Sequence, residues 1–269
     1  MKKQFKLGLI GCNLIAQTIV RGAVLSDFLS VRKIIVGGAS NKNVDVLDEL
    51  GVQTIDDIKF VFENSEYQLI AVDAEQLKKF EKEIGIIKQA KIISVADGLK
   101  KSEIKNILGV SSLKVARGVA NLPSVIGSGA VGLDMSDYDS YFDDLEFISN
   151  LFNCIGTVLS IDESKFDAIT GLSVNGPAYA FMFIDSLIDA GVQQGLTKDE
   201  AKLLAVQTVL GAAEMVQREE EPLSDLIMHV CSKGGTTIEA VKVLETNNFR
   251  AIVSSAVAAC VKREKELSE

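Results

Sequence analysis

The residues best suited to bind a small anion are two glycines followed by two threonines, Gly234-Gly235-Thr236-Thr237. Glycine lets the backbone approach a ligand closely because it adopts dihedral angles that other residues avoid. Thr236 and Glu239 have the spacing of a capping box, which predicts that a helix begins at the threonines. The N–H groups and the positive end of the helix dipole would then attract a carboxylate. The same residues also fit a capped helix after a tight turn, without any ligand.

A second candidate site lies near the start of the chain, where residues 7–20 read LGLIGCNLIAQTIV and predict a strand, a turn and a helix. Gly11 and Ala16 match the first and last positions of the G-x-G-x-x-G/A dinucleotide fingerprint, but Asn13 stands in place of the middle glycine. The pattern fits a nucleotide site and a plain strand–helix turn equally well.

The end of the second predicted strand reads VGGASNKN, residues 36–43. An acidic residue here would bind the ribose hydroxyls of NAD, and this segment has none. Ser40, Asn41 and Lys42 would instead suit a ribose 2′-phosphate, which favours NADP over NAD. A solvated loop has the same composition.

Two further polar segments are candidates for ligand contact. Asn175 precedes Pro177 in SVNGPAYAF, so its amide can reach a ligand at a helix break or can simply mark a proline kink. Arg117 and Asn121 flank the end of a predicted strand, at the sheet edge where ligands bind in parallel sheets. Both residues fit structural hydrogen bonds as well.

Bulk composition argues against several classes of protein. The 269 residues carry a net charge of −9, with a pI of about 4.9, which disfavours nucleic acid as a partner. His229 is the single histidine, so neither a multi-histidine metal site nor a histidine-based triad is expected. The apolar run between Lys6 and Cys12 is shorter than the ~7–15 residues of a signal-peptide core. No stretch reaches the ~18–20 apolar residues of a membrane span. We therefore expect a cytoplasmic protein without metal or membrane partners, whose cysteines are free thiols: Cys12, Cys154, Cys231 and Cys260.

The first half of the chain alternates apolar runs with helical patterns, which predicts an α/β fold with a parallel, doubly wound, Rossmann-like sheet. The predicted strands are Phe5–Ile10, Val31–Val36, Tyr67–Val72, Lys91–Val95, Val115–Gly118 and Ala130–Leu133. Predicted helices between the first strands cover Ala16–Leu25 and Val44–Leu50. The pattern becomes wholly helical after about Asp162, so we expect a dinucleotide-binding domain at residues 1–160 and a helical domain at residues 161–269.

The helical half has its own start and stop signals. Residues 165–195 are mostly helical, with a break at Asn175, and Thr197 with Glu200 predicts the start of a helix over Lys198–Arg218. Pro222 predicts a short helix through Val230. A final helix is predicted from Thr237 to about Leu267. The apolar stripes of these helices predict that the domain completes its core against a second copy of the chain.

Several segments of the second half together resemble the C-terminal signature of the pyrroline-5-carboxylate reductase family. In chain order they read ITGLSVNGPAY, DAGVQQGL, QTVLGAA, SKGGTTI, LETNNFR and AVAACVKR. The combination and the order are specific, and the similarity extends over essentially the whole chain. The resemblance implies an N-terminal Rossmann domain and a C-terminal helical domain that forms an interwoven homodimer, which in many members assembles further.

The resemblance also implies an activity, the last step of proline biosynthesis. A hydride moves from NADPH, or from NADH, to the cyclic imine 1-pyrroline-5-carboxylate and gives L-proline. The substrate-binding residues would be Ser232, Lys233, Gly234, Gly235, Thr236 and Thr237, with Thr237 and Asn175 at the reacting ring. The cofactor-binding residues would be Gly11, Cys12, Asn13, Leu14, Ile15, Ser40, Asn41, Lys42, Ala71, Val72, Asp73 and Asn121.

Some positions depart from the family pattern. Asp73 and Ala74 stand where the family usually has Lys and Pro, and Asn13 replaces a glycine. In the helical half Val174 and Asn175 replace Gly and Ser, and Lys233 replaces a Pro: SVNGP and SKGGTT stand where the family reads SGSGP and SPGGTT. These departures keep two alternatives open, namely a reductase of a different cyclic imine amino acid and a non-catalytic member that binds a nucleotide or serves assembly.

Overall fold

One eight-stranded sheet organises the first part of the chain. The structure is a computed structural model that describes residues 3–38, 45–87, 89–218, 220–232 and 234–268. The strands within these ranges are β1 Phe5–Ile10, β2 Ile34–Gly37, β3 Gln53–Ile55, β4 Ser65–Ile70, β5 Lys91–Ser94, β6 Lys114–Ala120, β7 Gly129–Asp134 and β8 Gly156–Ser160.

The strand order is β3-β2-β1-β4-β5-β6-β7-β8. Neighbouring strands are parallel except β6 and β7, which pair antiparallel, with Arg117 opposite Asp134. The predicted parallel, doubly wound sheet is confirmed, with this one antiparallel pair added where a 3-10 segment (Leu122–Ile126) turns the chain back. The order of connection reverses between β1 and β4, which creates a crevice at the carboxyl ends of these two strands.

Helices cover both faces of the sheet. They are α1 Leu14–Leu25, α2 Asp45–Glu49, α3 Ile58–Asn64, α4 Ala74–Ile84, α5 Lys101–Ile107, α6 Phe142–Asn153 and the short α7 Phe166–Ile169. Apolar residues of α1, α2 and α6 share one buried cluster with one face of the sheet, and those of α3, α4 and α5 share another with the opposite face. Because both faces are covered, successive residues of the central strands are buried rather than alternately exposed, as at Leu7–Ile10 of β1 and Tyr67–Ile70 of β4.

The chain divides into two compact units. The first contains the residues up to Val174 together with the end of the chain from Arg263, and the second runs from Asn175 to Lys262. The division between residues 160 and 161 that the sequence suggested stays a prediction. A π-helical turn, Thr170–Val174, ends the first stretch of unit one.

The second unit is helical throughout. Its helices are α8 Gly176–Gln193, α9 Lys198–Arg218, α10 Leu223–Val230, α11 Thr236–Thr246 and α12 Phe249–Ser268, of which the last extends beyond Lys262. Asn175 stands at the predicted break, and α9 has the predicted bounds. Thr197 and Glu200 exchange the hydrogen bonds of a capping box, with the Thr197 N–H donating to Glu200 Oε2 over 2.8 Å.

Two details of the sequence prediction were wrong. The segment at residues 31–36 is a strand only from Ile34, because residues 31–33 form a 3-10 turn. The predicted final helix is two helices, since Asn248 adopts a left-handed conformation (φ 58°) between α11 and α12. Asparagine tolerates this conformation better than most residues do.

Candidate active site

Two groups of predicted cofactor residues, 11–15 and 71–73, follow β1 and β4 and lie at the crevice between these strands. The Gly11 N–H donates to the Gly37 carbonyl over 2.9 Å, and the Ala71 N–H donates to the Ile10 carbonyl over 3.0 Å. These bonds tie together the carboxyl ends of β2, β1 and β4. The turn that follows β1 therefore lies at the switch point of the sheet, where open α/β sheets bind dinucleotides.

Gly11 can be nothing larger than glycine here. Its φ is +79°, and a Cβ at this position would collide with the side chain of Val72 and crowd the Ala71 carbonyl. The turn consequently closes tightly against β4 and leads directly into the N-terminus of α1. This tight backbone cradle in front of a helix N-terminus fits the pyrophosphate of a dinucleotide.

Asn13 caps α1. Its Oδ1 accepts a hydrogen bond from the Ala16 N–H over 2.9 Å, and its Nδ2 donates to the Val95 carbonyl over 3.1 Å. Asn13 has φ −86° and ψ 174°, so the position is extended and needs no glycine. A cap of this kind stabilises a helix by about 0.5–2 kcal/mol.

Asp73 caps a helix in the same way at the turn between β4 and α4. Its carboxylate accepts from the Gln76 N–H over 2.8 Å and caps α4, while Ala74 becomes the first residue of that helix. Ala71 and Val72, immediately before it, are buried. Of the three departures from the family pattern in the crevice, Asn13 and Asp73 are thus side chains that cap helices.

The other residues of the β1–α1 turn differ in exposure. Leu14 is exposed and Ile15 is partly buried. Burial raises the pKa of the Cys12 thiol, and a hydrogen bond with Gln17 lowers it in part, which leaves a pKa of about 11. The thiol is therefore neutral at pH 7 and adds no negative charge to the crevice. The predicted residues Ser40, Asn41 and Lys42 lie outside the described residues.

Asn121 and Arg117 both have partners within the first unit. The Asn121 Oδ1 accepts from the Ala130 N–H over 2.9 Å and joins the end of β6 to β7. Arg117 donates to Glu163 Oε1 over 2.8 Å, with its guanidinium over the Phe166 ring. Of the two readings that the sequence left open, these contacts fit structural hydrogen bonding.

An ion-pair network that the sequence did not reveal centres on Asp134. Lys101 Nζ donates to Asp134 Oδ1 over 2.8 Å, and Ser136 and the Glu163 N–H donate to the same carboxylate. Burial alone would raise the pKa of Asp134, but these hydrogen bonds outweigh it and lower the pKa to about 2. The residues are far apart in sequence, so no local pattern could have predicted the network.

In the second unit, the segment from Ser232 to Thr237 is the candidate anion site. The Gly235 N–H donates to the Ser232 carbonyl over 2.9 Å, and Gly234 has φ +72°. Gly235 is the N-cap residue of α11, and a Cβ there would collide with Ser232 Oγ. Thr236 and Thr237 are the first two residues of the helix. Lys233 lies outside the described residues.

The expected capping box at this helix is not formed. The helix begins at Thr236, one residue before the predicted start at Thr237, so Gly235 takes the cap position and offers no side chain. Glu239 instead pairs with Lys242 over 2.7 Å. Among the described residues, therefore, no capping side chain competes with an anion for the first N–H groups of α11.

Asn175 stands at the start of α8, directly after the π-helical turn. Its Nδ2 donates to the Cys260 sulfur over 2.9 Å, a contact within the second unit. π-Helical turns are frequent at functional sites. His229 is largely exposed and lies 3.4 Å from Glu221.

Comparison with known proteins identifies the family. Residues 163–267 match the family model described as pyrroline-5-carboxylate reductase dimerisation. The chain is 36% identical to a pyrroline-5-carboxylate reductase of Arabidopsis thaliana, over 99% of this chain and 97% of that protein.

Solved structures show the same relationship over the whole of both chains. A pyrroline-5-carboxylate reductase from Coxiella burnetii superposes with a TM-score of 0.86 at 32% identity, and each chain is covered completely. A pyrroline carboxylate reductase from Plasmodium falciparum, solved with NADP bound, superposes with a TM-score of 0.83 at 25% identity, again over both whole chains. The chain belongs to the pyrroline-5-carboxylate reductase family.

Proposed function

We propose that the chain catalyses the NAD(P)H-dependent reduction of 1-pyrroline-5-carboxylate to L-proline, the last step of proline biosynthesis. The observation that carries this proposal is the 36% identity to a named pyrroline-5-carboxylate reductase over almost the whole of both chains. The similarity covers the turns of the sheet edge as well as the glycine–threonine segment. It is therefore more than a likeness of fold, which by itself would not imply an activity.

The reaction converts a C=N double bond into a single bond, so the ring carbon gains a hydride and the nitrogen gains a proton. When bound, NADPH supplies the hydride. The protein's part is to hold the ring against the cofactor and to place opposite charge near the substrate, and both tasks rest on positioning. A chain whose single histidine is exposed can perform such a reaction without a histidine acid.

The segment from Ser232 to Thr237 is suited to hold the substrate carboxylate. A carboxylate gains from the free N–H groups and the dipole at the start of α11, and no side chain caps that helix. Thr237 has a hydroxyl at the second position of α11, within reach of a ring whose carboxylate lies at the helix N-terminus. In this proposal the hydroxyl partners the ring nitrogen.

The cofactor would lie along the crevice of the first unit. Gly11, Cys12, Leu14 and Ile15 would approach the pyrophosphate, and Ala71 to Asp73 would line the path beside β4. NADPH is proposed over NADH because residues 36–43 carry no acidic residue and include a lysine, Lys42.

We also propose that the protein is a homodimer formed through the helical unit, as the matched dimerisation model implies. Within that unit the buried apolar cluster is small and consists of Ile188, Ala201 and Ala205. Large apolar side chains are exposed instead, among them Leu203 at 73% and Met182 at 71%. Exposed apolar area of this kind marks an interface.

The proposal also includes assembly beyond the dimer, a cytoplasmic location and the absence of membrane partners. None of the helices in the described residues is long and apolar enough to cross a membrane.

A reductase for a related cyclic imine is the second candidate. Val174 and Asn175 favour it, because the Asn175 amide is engaged with Cys260 rather than presented by a flexible Gly-Ser pair. Steady-state oxidation of NADPH and of NADH, measured with five- and six-membered imine carboxylates, tests both proposals. The first expects the highest kcat/KM for 1-pyrroline-5-carboxylate with NADPH. A six-membered ring with higher kcat/KM would favour the second, and failure to oxidise either cofactor would favour a non-catalytic member.

A further inference from the structure

The side chain of Asn13 uses all of its polar atoms inside the protein. Its Oδ1 accepts from the Ala16 N–H over 2.9 Å, and its Nδ2 donates to the Val95 carbonyl over 3.1 Å. Ala16 is the third residue of α1, and Val95 directly follows β5. One side chain therefore connects the turn after β1 with the end of a strand that is not its neighbour.

The sheet order shows where this side chain must run. β4 lies between β1 and β5, so a side chain that joins the β1–α1 turn to the end of β5 passes over the carboxyl end of β4. That end borders the switch-point crevice, in which a dinucleotide lies across the sheet edge. The Asn13 amide thus spans part of the crevice that the proposed cofactor has to enter.

The Ala16 N–H is a donor of the kind that binds phosphate groups at helix N-termini. The first four N–H groups of a helix have no acceptor within the helix, and in dinucleotide-binding folds they point toward the pyrophosphate. Here the side-chain Oδ1 of Asn13 already accepts one of these bonds. This oxygen occupies the place that a phosphate oxygen would take at the Ala16 N–H. Its partial negative charge would also repel the pyrophosphate.

On the basis of the proposed function, we propose that Asn13 competes with the cofactor pyrophosphate for the N-terminus of α1 and thereby sets the affinity for NADP(H). In the cofactor-free protein the amide caps α1 and bridges to Val95. When the cofactor binds, either the Asn13 amide is displaced or the pyrophosphate makes no hydrogen bond with the Ala16 N–H. In both cases binding is weaker than it would be with glycine at position 13. The same bonds stabilise the protein without cofactor.

Asn13→Gly tests this inference, because glycine accepts the backbone angles of residue 13 and is well tolerated as a helix cap. NADP⁺ binding to the wild type and the variant is measured by calorimetry, and thermal unfolding is measured without cofactor. We expect the dissociation constant of the variant to fall about fivefold, which corresponds to roughly 1 kcal/mol, and its unfolding temperature without cofactor to fall as well.

Two further variants make the result specific. Thr197→Gly removes a side-chain cap of the same kind from α9 and should lower the unfolding temperature without changing the dissociation constant. Asn13→Ser keeps a capping oxygen but is too short to reach Val95, so it should bind NADP⁺ with nearly wild-type affinity. If serine tightened binding as much as glycine does, the Ala16 N–H would not be the contested donor and the inference would be wrong.

The outcomes separate the inference from the proposed function. Equal or weaker NADP⁺ binding by Asn13→Gly, beside measurable wild-type binding, overturns the inference and leaves the function standing. Binding by Asn13→Gly alone supports the inference strongly. Binding of neither NADP⁺ nor NAD⁺ by either protein overturns the proposed function, and with it the inference.

Discussion

Ser232 and Gly235 are in direct contact in the segment that precedes α11. The Gly235 N–H donates to the Ser232 carbonyl over 2.9 Å, and the Ser232 hydroxyl occupies the space that a side chain at position 235 would need. The N-terminus of α11 is left without a capping side chain as a result. In the proposed function, this helix start without a side-chain cap is where the substrate carboxylate would bind.

Replacing Gly235 with alanine should therefore damage substrate binding specifically. The new Cβ displaces Ser232 and distorts the N–H groups that would hold the carboxylate. Because hydrogen bonds to a charged group contribute about 1.5–3 kcal/mol each, we expect kcat/KM to fall roughly 10- to 100-fold, mostly through KM. NADP⁺ affinity serves as the internal control and should not change. A normal KM would show that the carboxylate binds elsewhere.

Thr237→Val should preserve the fold and lower turnover. Valine has nearly the shape of threonine, but it cannot partner the imine nitrogen, and an unpartnered buried polar group costs about 1–3 kcal/mol. We expect kcat to fall by roughly one to two orders of magnitude. Thr246→Val, at the exposed opposite end of the same helix, is the matched control and should retain full activity. Equal rates for the two variants would remove Thr237 from the reacting ring.

Asp73→Asn should bind the anionic cofactor more tightly than the wild type. Asparagine can still cap α4 through its Oδ1, while the negative charge beside the crevice is lost. We expect the dissociation constant for NADP⁺ to fall about two- to fivefold at low ionic strength, and the gain to shrink in high salt because the charge is exposed. Asp57→Asn, at the equivalent cap of α3, is the control. A gain that persists in high salt would argue against a charge effect.

The stability of the protein should depend on pH through Asp134. Its pKa is about 2 in the folded state, against 3.8 ordinarily, so the unfolded chain takes up the proton first as pH falls. The contribution of the carboxylate is complete above about pH 4 and is lost as pH approaches 2. Urea unfolding at pH 5, 4 and 3 should show a smaller decline for Asp134→Asn than for the wild type. Parallel declines would mean that Asp134 titrates alike in both states.

The sequence predicted what depends on local pattern. Continuous apolar runs located six strands, the Thr197–Glu200 box located the start of α9, and Asn175 marked a helix break. Two strands were missed: Gln53–Ile55 has only three residues, and Gly156–Ser160 is partly or fully exposed along its length and has no continuous apolar run.

Contacts between residues far apart in the chain could not be predicted from the sequence pattern. Asn13 could be recognised as a departure from the dinucleotide fingerprint, but its bond to Val95 joins residues 82 positions apart. The role of Asp134 depends on Lys101, 33 residues away. Such partners are set by the order of strands in the sheet, which the pattern of apolar runs does not determine.

The most direct test of the proposed activity follows the hydrogen itself. The purified protein is incubated with 1-pyrroline-5-carboxylate and NADPH in which both hydrogens at carbon 4 of the nicotinamide are deuterium, and the product is analysed by mass spectrometry and NMR. The proposed function predicts L-proline with a single deuterium at carbon 5. Absence of proline, or proline without deuterium at that carbon, would contradict it.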